Sequence, residues 1–202
     1  MDADDFQRLV DKIEIEGELL NKLAEYVHDV FRQQLKADGY KWGKKTDDKR
    51  KRHSSLVDFD KLPEDEKEQN RSNASDIPGK LAYAGYAIKP ARSNEPRFDF
   101  PGADLEKLAE MEHDRWMKAK IRNDWRWGPK TDKSKRLHKD ILLWRSMSED
   151  EKAERYTPTE LAAIGKRTLP DKEKEKDRML IRGIPKILAK AGYTIVKVGN
   201  QR

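Results

Sequence analysis

Two histidine–aromatic pairs offer the most evident chemistry in this sequence: His28 with Phe31, and His113 with Trp116. Each pair is spaced i, i+3, so on a helix both members share one face and the imidazole stands beside an aromatic plane. An aromatic face stacks on a planar ring system for about 1–3 kcal/mol per stack, and His, Lys or Arg nearby neutralise phosphates. That is the least a nucleotide site requires. The same two aromatics read equally well as core fillers, because buried aromatic side chains are usually structural.

The other reactive residue types carry less. His53 and His138 complete a set of four histidines, but no His-x3-His spacing joins them, so no metal site is expected. No nucleophile elbow, phosphate-cradling glycine loop or H-E-x-x-H motif is present, and no catalytic residue is assigned. Glu25 and Glu110 read as surface charges of a helix. Trp42 and Trp127, each followed by glycine, read as core anchors, with Gly43 and Gly128 allowing a bend or a positive φ. The basic runs at Lys49–His53 and Lys130–Arg136 are offset by Asp47, Asp48 and Asp132, which favours a solvated mixed-charge face over a nucleic-acid patch.

These residues come in matched sets because the chain repeats itself. A shift of 85 lays LAEYVHD (23–29) on LAEMEHD (108–114), Phe31 on Trp116, Tyr40 on Trp125, Trp42-Gly43 on Trp127-Gly128, His53 on His138, and EDEK (64–67) on EDEK (149–152). Register then returns at a shift of 107, with Ile77-Pro78 on Ile184-Pro185 and AGYAI (84–88) on AGYTI (191–195). The second copy therefore carries an insertion of about 22 residues, read at about 153–174.

The elements that must position the pairs follow from periodicity. Leu20, Leu23, Ala24, Val27 and Phe31 mark a helix that Gly39 stops, and Leu105, Leu108, Ala109 and Trp116 repeat it. The Tyr/Trp-x-Trp-Gly step breaks helical period and predicts a short strand or hairpin. Ser148 with Glu151 makes a capping-box pattern, and a counterpart helix opens near Pro63. A closing helix ends at Gly85 or Gly192, after which Tyr-x-Ile is strand-like. Residues 89–104, with three prolines among them, read as a linker that packs through Phe98 and Phe100, and residues 2–16 predict an amphipathic helix on Phe6, Leu9, Val10 and Ile13. The insertion predicts one or two helical turns followed by solvated charge. The expected organisation is an N-terminal helix (1–19), repeat one (20–88), a linker (89–104) and repeat two (105–198).

Composition limits the classes of function. With no cysteine, neither disulfides nor thiolate metal sites exist, which suits a reducing compartment. No run approaches the roughly 18 apolar residues of a membrane span, and no signal peptide is evident, so a cytoplasmic, soluble protein is expected. Lys plus Arg number 44 against 38 Asp plus Glu, but the signs are interleaved, so the net charge of +6 names no partner.

The set LAExxHD-x-[FW], aromatic-x-Trp-Gly, His, EDEK, Asn/Asp-Arg and AGY, present twice, resembles the ryanodine-receptor repeat over residues about 20–88 and 105–195. The resemblance implies a mainly α fold with short β-strands (α+β), with two tandem repeats packed in pseudo-twofold symmetry. Repeats of this kind decorate the cytoplasmic face of calcium-release channels and occur in bacteria, alone or beside nucleotide-sensing modules. It further implies that His28 and Phe31 face His113 and Trp116 across a cleft that takes an adenine nucleotide or similar phosphorylated ligand. The expected function is a non-enzymatic ligand-sensing, regulatory module. The alternatives are a protein-interaction scaffold without a small ligand, and a weak nucleic-acid binder, the less favoured partner.

Overall fold

The computed structural model describes residues 15–92 and 98–198. The helix expected over residues 2–16 lies, apart from its last two residues, outside them. The protein is mostly helical with short two-stranded sheets. Contacts divide the chain into two compact units: one holds the residues up to Pro101 and those from Arg182 on, the other runs Gly102–Ile181.

In the first unit, α1 (Gly17–Ala37) buries Leu23, Ala24, Val27, His28 and Leu35, the stripe that its periodicity requires. Gly39, at φ 81°, ends it, and its N–H bonds Lys36 O at 3.0 Å. The next step is not a hairpin. β1 (Lys41–Trp42) pairs in parallel with β2 (Arg52–His53), Lys41 opposite Arg52 and Trp42 opposite His53. Between them the chain makes a tight loop, closed by reciprocal backbone bonds of 2.9 Å between Asp47 and Arg52, with Lys51 at φ 51°. A 3-10 turn (Phe59–Lys61) leads to α2 (Glu64–Ser75), then α3 (Ile77–Tyr83), in whose first turn Pro78 sits, and β3 (Tyr86–Pro90). Phe98 and Phe100 meet the Tyr86 ring edge-on at 5.3 and 5.5 Å, the packing expected of the linker.

The second unit rebuilds the same loop. α4 (Gly102–Arg122) is followed by β4 (Arg126–Trp127) paired in parallel with β5 (Leu137–His138). Asp132 and Leu137 exchange the 2.9 Å bonds, and Arg136 takes φ 51°. Asp124, at φ 62°, stands where the first copy has Gly39. After β6 (Leu142–Leu143) come α5 (Glu149–Arg155), α6 (Pro158–Ala163), β7 (Gly165–Thr168) and α7 (Asp171–Lys190). Ser148 accepts from the Glu151 N–H, as its capping pattern requires. From Arg182 on, the chain belongs to the first unit, where β8 (Tyr193–Lys197) pairs antiparallel with β3, Ile88 opposite Ile195.

The inserted segment differs from its sequence reading in extent and content. Arg71 bonds Asn21 and Glu64, and Arg178 bonds Glu106 and Asp171 in the same pattern, so α2 corresponds to the start of α7 and Leu62-Pro63 to Leu169-Pro170. The shift of 107 thus already holds at Leu169, and the insertion spans roughly residues 147–168. The EDEK of the second copy lies inside it. DKEKEK is the first turn and a half of α7 rather than solvated coil, and the insertion ends in the strand β7.

Candidate functional site

His28 and His113 occupy equivalent places in their units, and both are buried. Nε2 of His28 donates to Val57 O at 2.8 Å; Nε2 of His113 donates to Leu142 O at 2.9 Å. Each imidazole therefore ties its helix to the strand-like segment after the loop. Their second nitrogens differ in setting. Asp177 Oδ2 lies 3.3 Å from Nδ1 of His113. In the first repeat the corresponding residue is Asn70, whose amide N–H bonds Glu66 O.

Burial lowers the His28 pKa below the ordinary value, so this ring is held neutral. Burial also works against charging His113, but the hydrogen bond and charge of Asp177 outweigh it and raise that pKa. Burial raises Asp177 in turn. One proton is held across this buried contact.

One turn on, Phe31 and Trp116 each meet the histidine of the loop. Phe31 meets His53 edge-on at 5.4 Å, with Tyr40 6.1 Å from the same ring. Trp116 meets His138 at 4.8 Å, with Trp125 at 6.2 Å. Nδ1 of each loop histidine accepts a backbone N–H two residues on, from Ser55 and Asp140, both at 3.1 Å. Burial drives the His138 pKa down to about 4.

The two aromatic sets differ in how they are covered. Trp116 and Trp125 pack against a core of Met117, Ile141, Leu143, Met147 and Tyr156, with Leu161 and Ile164 beside them. Phe31 is 40% exposed and Trp42 55%. Trp42 and Trp127 are accordingly not core anchors; even Trp127, the better covered, is 36% exposed. Gly43 and Gly128 do not have positive φ either. A Cβ on Gly43 would stand 2.9 Å from Cβ of Arg52, and one on Gly128 2.9 Å from Cβ of Leu137, so close approach to the paired strand requires glycine.

Beside His28 and Phe59 the first unit opens into a cavity of about 310 Å³ lined by Glu25, Asp29, Arg32, Asp58, Phe59 and Asp60. Arg32 reaches Asp29 at 3.2 Å and Asp58 at 2.9 Å; Glu25 and Asp60 make no ion pair among the described residues. In the second unit, Glu110 and Asp114, the counterparts of Glu25 and Asp29, are held by inserted residues. Arg155 reaches Asp114 at 2.6 Å and Glu110 at 2.8 Å, and Tyr156 Oη donates to Asp114 at 2.7 Å. These carboxylates are more than the surface charges their helix position suggests; the signal was their recurrence at the same place in both LAExxHD segments.

Glu25 and Glu110 also stand three residues before His28 and His113, a ligand spacing in some metal sites. Among the described residues, however, no group of three or more His, Asp or Glu is placed to hold a metal ion. No described helix is long and apolar enough to cross a membrane.

A family model described as RyR domain matches residues 10–90 and 103–164. The two matched segments fall on the two helices and loops that carry the paired histidines, and together cover more than half of the sequence. The chain belongs to the RyR domain family and carries two tandem segments of it.

Proposed function

We propose that the chain is a non-enzymatic recognition and regulatory module that binds its ligand through the first repeat. The observation that carries this reading is the open aromatic pair of that repeat, Phe31 and Trp42, whose counterparts in the second repeat are better covered. Grouped apolar side chains left open on a surface mark a binding face. The histidines have structural partners: Nε2 of His28 and His113 is committed to a backbone carbonyl, and Nδ1 of His53 and His138 accepts a backbone N–H.

A second reading is the adenine nucleotide that the resemblance implies, with Phe31 and Trp116 as stacking faces and His28 and His113 beside them. The exposed ring of Phe31 favours it. The carboxylates of Glu25, Asp29, Asp58 and Asp60 in the cavity of the same repeat repel phosphates, which favours a protein ligand over a nucleotide there.

Thermal unfolding against mono-, di-, tri- and cyclic adenine nucleotides separates the two. A ligand at 100 times its dissociation constant adds about 2.7 kcal/mol. A dose-dependent shift that disappears in Phe31→Ala supports the nucleotide reading, and one that survives in the Phe31→Ala, Trp116→Ala double variant removes it from these residues. Absence of any shift removes the nucleotide reading and leaves the protein ligand. Turnover of any of these compounds would overturn the non-enzymatic reading.

A further inference from the structure

The second repeat contains, in its own chain, a cover for the face that the first repeat leaves open among the described residues. The inserted residues run across it in order. Arg155 and Tyr156 engage Glu110 and Asp114. Leu161 and Ile164 pack on the core beside Trp116 and Trp125. Gly165 lies so close to Trp127 that a Cβ there would stand 2.6 Å from Cγ of the indole. β7 then pairs in parallel with β6, Gly165 N–H bonding Ile141 O at 3.0 Å and Leu169 N–H bonding Leu143 O at 2.8 Å.

At the shift of 85, each group so covered has a counterpart in the first unit: Glu25 and Asp29, Phe31 and Tyr40, Trp42, and the segment Leu56–Asp58. There the chain passes directly through the 3-10 turn into α2, and nothing corresponds to residues 147–168. Leu56–Asp58 pairs with no strand among the described residues. Glu25, which makes no ion pair among the described residues, the open indole of Trp42 and the segment Leu56–Asp58 thus lack the cover that their counterparts have.

We propose that this face of the first repeat docks a polypeptide segment of a partner protein with the chemistry of the second repeat's cover: an arginine followed by an aromatic residue, an apolar helical turn, and a glycine-containing extended stretch. The proposal rests on the reading of the chain as a recognition module and names the class of its ligand. The arginine would enter the cavity at Glu25 and Asp60, where charge-assisted hydrogen bonds are strongest for a guanidinium. The apolar turn would cover Phe31, the glycine would sit on Trp42, and the extended stretch would bond Leu56 O as Gly165 N–H bonds Ile141 O, while Asp58 O already accepts from Lys61 N–H. Charge complementarity selects a basic segment, since the cavity carries four carboxylates and one arginine.

The test uses the full chain and a synthetic peptide of its own residues 153–170, followed by calorimetry and by the fluorescence of the chain's tryptophans. The expected result is 1:1 binding, weakened at least tenfold when the peptide carries Arg155→Ala and also when the chain carries Glu25→Gln with Asp60→Asn. Trp42→Phe in the chain should remove most of the fluorescence change, which locates the peptide on the first repeat. No binding at 1 mM peptide, or equal binding of a scrambled peptide, overturns the proposal. Self-association of the chain that the peptide competes away would assign the face to a second copy and overturn it as well. Circular dichroism of each variant separates lost binding from lost fold. Failure of the peptide together with a nucleotide-induced thermal shift would leave the recognition module standing while this docking segment falls.

Discussion

Asp177 Oδ2 stands 3.3 Å from Nδ1 of His113, while Asn70, at the same place in the first repeat, turns its amide to Glu66 O. This one difference sets the charge of the two buried imidazoles. Nε2 of His113 faces a carbonyl oxygen, which only accepts, so it must carry a proton. A proton on Nδ1 as well then makes the ring an imidazolium against a carboxylate.

Asp177→Asn should convert the second repeat to the state of the first. The His113 pKa, raised in the native protein, should fall below the ordinary histidine value, as read by NMR titration of the ring carbons. A histidine raised on folding contributes stability that is fully present below its unfolded pKa of about 6.5 and is lost as pH rises through the folded value. The variant should therefore be destabilised by roughly 1.5–3 kcal/mol just below pH 6.5, the range for a hydrogen bond to a charged group, with a smaller deficit at higher pH. A deficit independent of pH would mean that the contact acts by packing alone.

His138 should shape the acid side of the stability curve. Its Nδ1 accepts the Asp140 N–H, so protonation breaks that bond, and burial holds its pKa down to about 4. Between the unfolded value of about 6.5 and this lower one, the unfolded chain binds a proton that the folded chain refuses, so stability falls as pH falls through that window. The loss should be on the order of 2–3 kcal/mol, complete near pH 4. His138→Phe should flatten this limb in urea unfolding followed at several pH values. An unchanged slope would place the acid sensitivity elsewhere.

Much of this was legible from residue types. The i, i+3, i+4 stripe of α1, the stop at Gly39 and the closing glycines 85 and 192 all encode local backbone conformation, which neighbouring residues decide. The sequence places the insertion too far along the chain because charged runs such as EDEK are common and match without structural meaning. Leu62-Pro63 and Leu169-Pro170 were the better anchor, both leucines being buried ahead of a helix start. The parallel pairing of β1 with β2 rests on backbone bonds across the loop, and the exposure of Trp42 on the absence of a cover. Neither is written in the residues concerned.

Gly165→Ala probes how tightly that cover sits on the second repeat. An added methyl would stand 2.6 Å from Cγ and 2.7 Å from Cδ1 of Trp127, and 2.7 Å from Cδ2 of Leu142. Overpacking of this kind typically costs about 1–3 kcal/mol. The variant should show that loss in chemical denaturation, together with faster acrylamide quenching of Trp127 as β7 lifts. Native stability would mean that β7 shifts aside freely.

Trp42 and Trp127 make the most direct comparison of the two faces. They share a sequence context and a loop, yet only Trp127 has a glycine-bearing strand against its ring. Truncating an indole that other atoms enclose removes contacts, whereas truncating one already in water removes few. Trp127→Ala should therefore cost about 2–3 kcal/mol, below the 3–5 of a fully buried aromatic because the ring is 36% exposed. Trp42→Ala should cost less than about 1 kcal/mol in the free chain, and its cost should show in binding instead. Urea denaturation of both variants, with and without the cover peptide, measures the four quantities. Equal losses in the free chain would mean that Trp42 is as enclosed as Trp127, and the first repeat would then have no open face for a partner to fill.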